Sequence, residues 1–350
     1  MSKMFCKISL VAALFAAGGA IAAVGSWTTA GPYGGAAQKI LVYEGGPSTL
    51  WAVGPGGVFR SLSGGSSWAR IELGLPDSMF PVDLQAATAS PVLYVASTSR
   101  VYRSGNGGDL WVTTAFAPPA GTVVNGLALR RGTTNTIAVV TNHAVLLSND
   151  GGSTITPAGG LDAAASYNGV DYASDGTLYV VVQDDPNNTY GGASLIKSAT
   201  GNAWSPVVTP FSLFGSNLVA ISPNTPQRLY ASDSGSIVTS ANGGTSWNAV
   251  ATPANCAPIT GIATHPTNPL ALYVGCKTGL AATGDATAPA PAWTVSNAGN
   301  GLGVNGTGDP AAIMSIAVHP AFPGTPTLWA ASQYDGLFTS TNGGTSWSTA

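Results

Sequence analysis

The chain has 350 residues, of which 45% are hydrophobic and only 8% charged, where charged side chains make up roughly a quarter of an average soluble protein. That balance excludes a disordered chain. A formal net charge of −3, with Arg130-Arg131 the one adjacent basic pair, excludes the many phosphate contacts of a nucleic-acid binder. Gly, Ser, Thr, Asn and Ala take the place of charge, which is turn and strand chemistry rather than helix chemistry.

Residues 1–23 read as a signal peptide. Lys3 and Lys7 supply the positive start, Ile8 to Ala17 the apolar stretch, and Ala20-Ile21-Ala22-Ala23 the small residues for cleavage after Ala22 or Ala23. An uncleaved anchor is the alternative, but Gly18-Gly19 interrupts a run already short for a spanning helix. No cysteine follows the small residues and no second apolar span exists. The expectation is a secreted or periplasmic protein without membrane insertion after cleavage, acting as a monomer, with residues 24–350 forming a single domain.

One phrase then recurs along the chain: an apolar pair, Ser, two residues, Gly-Gly, two residues, Trp. Its copies begin at Ser61, Ser104, Ser148, Ser198, Ser240, Thr283 and Ser340, at steps of 43, 44, 50, 42, 43 and 57 residues. The third position is Ser63, Asn106, Asp150, Thr200, Asn242, Asp285 and Asn342 in turn. The closing tryptophans are Trp68, Trp111, Trp204, Trp247, Trp293 and Trp347, six of the nine in the chain, while the third copy ends in Ile155. The fourth copy is one residue short and the sixth is degraded. A second phrase precedes the first, as in Ile262-Ala263-Thr264-His265-Pro266 leading to Leu272-Tyr273-Val274, and again from Ile316 to Ala330 and from Ala220 to Ala231. Each reads as strand, turn, strand, and the box adds a third strand before it and a fourth carrying Trp. Four strands per unit of about 43 residues predict an all-β, seven-bladed β-propeller of four-stranded antiparallel blades, with the box turns between third and fourth strands. In that turn, Asp or Asn can accept from its own loop's amides, the glycines allow positive φ, and Trp can be buried between blades.

The phrase resembles the Asp-box, or BNR, repeat, usually Ser-x-Asp-x-Gly-x-Thr-Trp, and the resemblance covers essentially the whole mature chain. Such repeats occur in sialidases, xyloglucan-type glycoside hydrolases, sortilin-like receptors and photosystem II assembly-factor-like proteins. The resemblance implies a propeller in which the boxes are structural, and by itself it does not select a function. Only Asp150 and Asp285 keep the Asp; Asn106, Asn242 and Asn342 replace it, and Ser63 and Thr200 are weaker caps. A sialidase of this kind would need an arginine cluster and a Tyr–Glu pair, but the mature chain has only Glu44 and Glu72. Xyloglucanase-like enzymes resemble two fused propellers facing a cleft, and one is present here.

In a propeller the first-to-second and third-to-fourth turns share one face. The two long steps come from insertions on the other face, Gln183 to Gly192 and Asn297 to Pro310, and long loops on a rigid scaffold are where function usually sits. Candidate ligand-face residues are therefore Asp184, Asp185, Asn187, Asn188, Tyr190, Asp309, Tyr334 and Asp335. Asp184-Asp185 could supply an acid or base, or cation ligands with Asn187 and Asn188; the plainer reading, a polar turn, is favoured because these are turn residues. Adjacent carboxylates seldom face each other across a glycosidic bond. His265 and His319 hold equivalent slots of two repeats, which keeps them apart, so no metal site and no cofactor are expected. His143 falls in a second-to-third strand turn. Cys256 and Cys276 are the even pair left after the signal, and a disulfide is the natural reading for an exported chain, with two buried thiols the alternative. Ser26-Trp27-Thr28-Thr29-Ala30 resembles Ser346-Trp347-Ser348-Thr349-Ala350, so the N-terminal segment is expected to pair with or beside the last blade. The leading reading is a non-catalytic binding or assembly module for a protein or glycan ligand, using the loop-rich face. The rival is a glycoside hydrolase-like enzyme with an acidic pair there.

Overall fold

The computed structural model describes residues 36–77, 79–118, 121–211, 218–303 and 312–350. Twenty-eight strands form seven four-stranded antiparallel sheets, each made of four consecutive strands in sequence order. Blade 1 is β1 (Lys39–Val42), β2 (Leu50–Gly54), β3 (Gly57–Ser61) and β4 (Ala69–Arg70). Blade 2 is β5 (Pro81–Ala86), β6 (Leu93–Ser97), β7 (Val101–Ser104) and β8 (Val112–Thr113). Blade 3 is β9 (Val124–Leu129), β10 (Ile137–Thr141), β11 (Val145–Ser148) and β12 (Thr156–Pro157). Blade 4 is β13 (Ser166–Tyr172), β14 (Leu178–Asp184), β15 (Leu195–Ser198) and β16 (Ser205–Val207). Blade 5 is β17 (Leu218–Ile221), β18 (Leu229–Ser232), β19 (Ile237–Ser240) and β20 (Asn248–Val250). Blade 6 is β21 (Ile259–Thr264), β22 (Leu272–Cys276), β23 (Gly279–Thr283) and β24 (Thr294–Ser296), and blade 7 is β25 (Ile313–Val318), β26 (Leu328–Ser332), β27 (Gly336–Ser340) and β28 (Ser348–Thr349). The fold is a seven-bladed β-propeller.

The second strands explain the apolar runs. Every residue of β2, β6, β10, β18, β22 and β26 is buried, because a neighbouring blade covers each face of the sheet. Their aromatics reach into the next blade: Trp51 Nε1 donates to Gly107 O at 3.0 Å, Tyr94 OH to Thr134 O at 2.7 Å, Tyr230 OH to Pro269 O at 2.8 Å, and Trp329 Nε1 to Gly64 O at 3.0 Å. Blade 3 has Ala138 at this position. The outermost strands β4, β8, β12 and β28 are two residues long and exposed, too short to template further pairing.

At the axis, the first strands of adjacent blades lie side by side and their inward edges need partners. Side chains supply them. Asp83 Oδ2 accepts from Leu127 N at 3.0 Å and Gln85 Nε2 donates to Leu127 O at 2.6 Å. Asn125 Nδ2 donates to Tyr167 O at 2.8 Å, and Thr260 Oγ1 to Ile313 O at 2.7 Å.

The recurrent turn lies between third and fourth strands. Its leading serine is the anchor: Ser61, Ser104, Ser148, Ser240 and Ser340 each accept from the second glycine's amide at 2.9 Å, and Ser198 accepts from Gly201 N at 2.8 Å. The third residue accepts from the amide four positions on: Asn106 Oδ1 from Leu110 N at 3.1 Å and Asp150 Oδ1 from Thr154 N at 2.9 Å. Asn242, Asn342 and Ser63 do the same. Asp285 departs, accepting from Thr287 N two residues on. Glycine is required at Gly108, where φ is 99° and a Cβ would lie 2.3 Å from Ile71 Cδ1. Trp111 donates to Ile71 O and Trp204 to Gly159 O in the preceding inter-blade connection; Trp68 and Trp347 donate within their own turns. Trp247 Nε1 is buried without a partner among the described residues. The turn is tied to the first-to-second turn of its own blade, as in Gly107 N to Pro91 O and Gly243 N to Gln227 O, so both lie on one face of the ring.

Blade 1 packs on blade 7 through Ile40, Phe59 and Trp68 against Ala317, Trp329 and Leu337. Ala37 N donates to Ser332 O at 2.9 Å, and no strand is exchanged between these blades among the described residues. The segment Ser26–Ala30, expected at this junction, and residues 1–23, expected to be a signal peptide, lie outside the described residues. Cys256 and Cys276 form a disulfide that ties the connection before β21 to the end of β22. No helix among the described residues is long and apolar enough to cross a membrane.

Candidate functional site

The sequence candidates fall into two groups, on blades three positions apart in a ring of seven. The first is the long turn after β14. Asp185 is its cap, accepting from Thr189 N at 2.9 Å and Tyr190 N at 2.8 Å, while Asn188 turns the chain with φ 52°. Asn187 and Thr189 both donate to Asp162 in the preceding connection, at 3.1 and 2.5 Å. Asp162 also takes the Ala164 amide, and these bonds, Thr189 foremost, hold its carboxyl below the usual range. Asp184 ends β14 with an exposed side chain. Tyr190 corrects the expectation of a surface aromatic: it is buried, and its hydroxyl meets Tyr167 OH at 2.9 Å. The polar sequence around it hides an inward ring that pins the loop. Burial also pushes the Tyr167 phenol up.

The second group is the β26–β27 turn. Tyr334 is 53% exposed, and Asp335 has one buried oxygen without a partner among the described residues; burial raises its carboxyl. Gly303 approaches Asp335 closely, but Asp309 lies outside the described residues. The two histidines are turn acceptors: His265 Nδ1 takes the amides of Thr267 and Asn268, and His319 Nδ1 that of Ala321. Among the described residues no three His, Cys, Asp or Glu side chains group as metal ligands.

Cavities lined by described residues open on the opposite face, that of the recurrent turns. One of about 230 Å³ lies at the axis, where the ends of β1, β5, β9, β13 and β17 converge. Glu44 crosses its mouth to Arg131 in a two-pronged bridge, at 2.6 and 2.8 Å, from blade 1 to blade 3. Deeper along the axis Lys39 bridges Asp83 at 2.5 Å. Arg130 and Asp171 also line the cavity. Burial pushes the Asp171 carboxyl up to about 6, with Lys39 opposing and Asp83 adding to the rise. Sequence reasoning missed this set. Arg130-Arg131 stands out there only as a basic pair, and Glu44 only as one of two glutamates. A second opening, of about 220 Å³, separates blades 3 and 4, where Ala138 replaces the usual aromatic and the facing turn is one residue short.

No family model matches the chain, and no curated protein matches it. Solved structures do. The GH74 xyloglucanase of Xanthomonas campestris is 17% identical with a TM-score of 0.71, over 92% of this chain and 55% of its own. YCF48 bound to a D1 peptide is 15% identical, TM-score 0.64, over 89% of this chain and 94% of its own. The extracellular domain of a hybrid two-component system from B. thetaiotaomicron is 15% identical, TM-score 0.64, over 89% of this chain and 39% of its own. The chain thus spans about half the length of the xyloglucanase. These similarities establish that the chain shares the seven-bladed propeller fold of a xyloglucanase, of YCF48 and of an extracellular domain.

Proposed function

We propose that the chain is an exported propeller of the Asp-box type that acts as a non-catalytic binding module, presenting its loop-rich face to a protein or glycan partner. The observation that carries this reading is the use made of the acids there. Asp162 and Asp185 are acceptors for turn donors, and a carboxylate holding a loop together is not available as an acid or base. The same face offers exposed Tyr334, and Phe80 and Val123 at the entries to β5 and β9, which suit contact with an apolar or sugar surface. YCF48, of similar fold, is bound to a peptide.

The glycoside hydrolase-like reading has two observations in its favour, the carboxyls of Asp171 and Asp335, both raised by burial but lying on opposite faces of the ring. Such enzymes need a second available carboxylate. The other acids at the axis, Asp83 and Glu44, are committed to Lys39 and Arg131.

The test combines binding and hydrolysis. The purified chain is applied to a glycan array and a peptide library, and polysaccharides are screened for released reducing ends. The expected result is binding weakened at least tenfold by Tyr334→Ala, with no hydrolysis. Hydrolysis abolished by Asp184→Ala, Asp309→Ala or Asp171→Asn would overturn it.

A further inference from the structure

In blades 1, 2 and 4 the second-strand aromatic stands in register beside a cation of the third strand: Trp51 beside Arg60, Tyr94 beside Arg103 and Tyr179 beside Lys197. In the first two pairs the polar ends are taken up inside the ring. Trp51 and Arg60 both donate to Gly107 O, and Arg60 also bridges Asp109. Tyr94 OH donates to Thr134 O and accepts from Arg103 Nε. Blade 4 departs. Lys197 Nζ donates to Gly243 O at 2.6 Å and bridges no carboxylate among the described residues, although an ammonium has three protons to place. Tyr179 is 4% exposed, and its hydroxyl bonds no described residue. The carbonyl equivalent to Thr134 O and Pro269 O, which accept from Tyr94 and Tyr230, is that of Pro226. Tyr179 leaves it untaken, and both residues line an opening of about 440 Å³ between blades 4 and 5. Tyr273 of blade 6 also bonds no described residue through its hydroxyl, but there the rings of His265 and Phe322 pack against it. A buried phenol without an acceptor costs stability until a partner supplies one.

We propose that this opening is a binding site for a neutral sugar, held by the Tyr179 hydroxyl and the Lys197 ammonium at its floor and by Asp175 and Gln227 at its mouth. The two donors converge. Tyr179 OH and Lys197 Nζ lie 3.3 and 3.4 Å from the point where a Cβ on Gly243 would stand, and glycine leaves that point empty. Gly243 itself lines the opening, with Asp175 and Gln227, both exposed, on either side. Burial and then the charge of Asp175 push the Tyr179 phenol up to about 12, which keeps it a donor at neutral pH. The charges of Lys197 and Asp175 offset each other, so an anion would be opposed by one and a cation by the other. Each hydroxyl of a sugar both donates and accepts, so one ring can take both donors at the floor and serve the acceptors at the mouth without bringing charge. A volume of about 440 Å³ lies in the range of small-ligand pockets. The proposal does not depend on the loop-rich face, which lies on the other side of the ring.

Calorimetric titration of the full chain with glucose, galactose, mannose and xylose tests it. Glucuronate, glucosamine and N-acetylglycinamide are the anionic, cationic and amide controls. At least one neutral sugar is expected to bind with one-to-one stoichiometry and more tightly than any control. Tyr179→Phe, which removes only the hydroxyl, and Lys197→Met should each lower its affinity at least about fivefold. Because the Tyr179 hydroxyl bonds no described residue, Tyr179→Phe should melt no lower than the wild type without ligand, and saturating sugar should raise the melting temperature of the wild type more than that of the variant. Tyr334→Ala, on the other face, should leave this binding unchanged. No binding by any neutral sugar, binding unchanged in both Tyr179→Phe and Lys197→Met, or tighter binding of a control would overturn the proposal. Sugar binding lost in Tyr334→Ala and kept in Tyr179→Phe would place the site on the loop-rich face and overturn it too.

Discussion

The recurrent turns and the axial cavity share one face of the ring but treat polar groups in opposite ways. In the turns nearly every donor has a dedicated acceptor. Buried Ser240 holds Gly244 N, and Asn242 closes the loop onto Ser246 N. At the axis, two matched ion pairs stand beside Asp171, a carboxyl that bridges no cation among the described residues. Saturated hydrogen bonding builds the scaffold, whereas at the axis burial of a carboxyl raises its affinity for a proton.

Variants can break or sharpen this contrast. The largest loss belongs to the inter-blade aromatics. Trp51→Ala empties a buried site and removes the bond to Gly107 O, and should cost about 3–5 kcal/mol in denaturant unfolding. Ser240→Ala leaves the buried Gly244 amide without its acceptor and should cost about 1–3 kcal/mol by the same measurement. Glu44→Gln breaks a bridge whose ends are about one-third exposed, and should cost less than about 1 kcal/mol.

The smallest effect is expected at Asp150. Thr154 Oγ1 and the Thr154 amide hold its carboxyl down to about 2, so its extra contribution is present above about 4 and lost as the pH falls through about 2. Asp150→Asn, which copies blades 2, 5 and 7, should lower the melting temperature slightly at pH 7 and not at pH 2.

Much of the scaffold is legible in the sequence because it is local and repeated. The box recurs within a dozen residues each time, and the second-strand runs announce sheets covered on both faces. The Cys256–Cys276 pairing follows from there being two cysteines after residue 23. The anchoring role of the leading serine was not legible, since a serine before a polar turn looks like any turn residue until its amide partner is seen. Tyr190 was misplaced because polarity of the surrounding loop says nothing of where one ring points. The axial set was invisible for a topological reason. Glu44, Arg130 and Asp171 come from three blades, about 40 or more residues apart, and no phrase marks the ends of the first strands of those three blades.

The central claim, that the axis holds an uncompensated carboxylate, is tested most directly by unfolding wild type and Asp171→Asn across pH 4 to 7.5. Asp171 has a folded value raised to about 6 from 3.8, so its ionisation penalises the folded state above about 6 and ceases to do so below about 4. Asp171→Asn should therefore be the more stable protein at pH 7.5, by about 1–3 kcal/mol, with the gap closing as the pH falls through 6. A variant that is less stable at pH 7.5, or a gap independent of pH, would contradict the account.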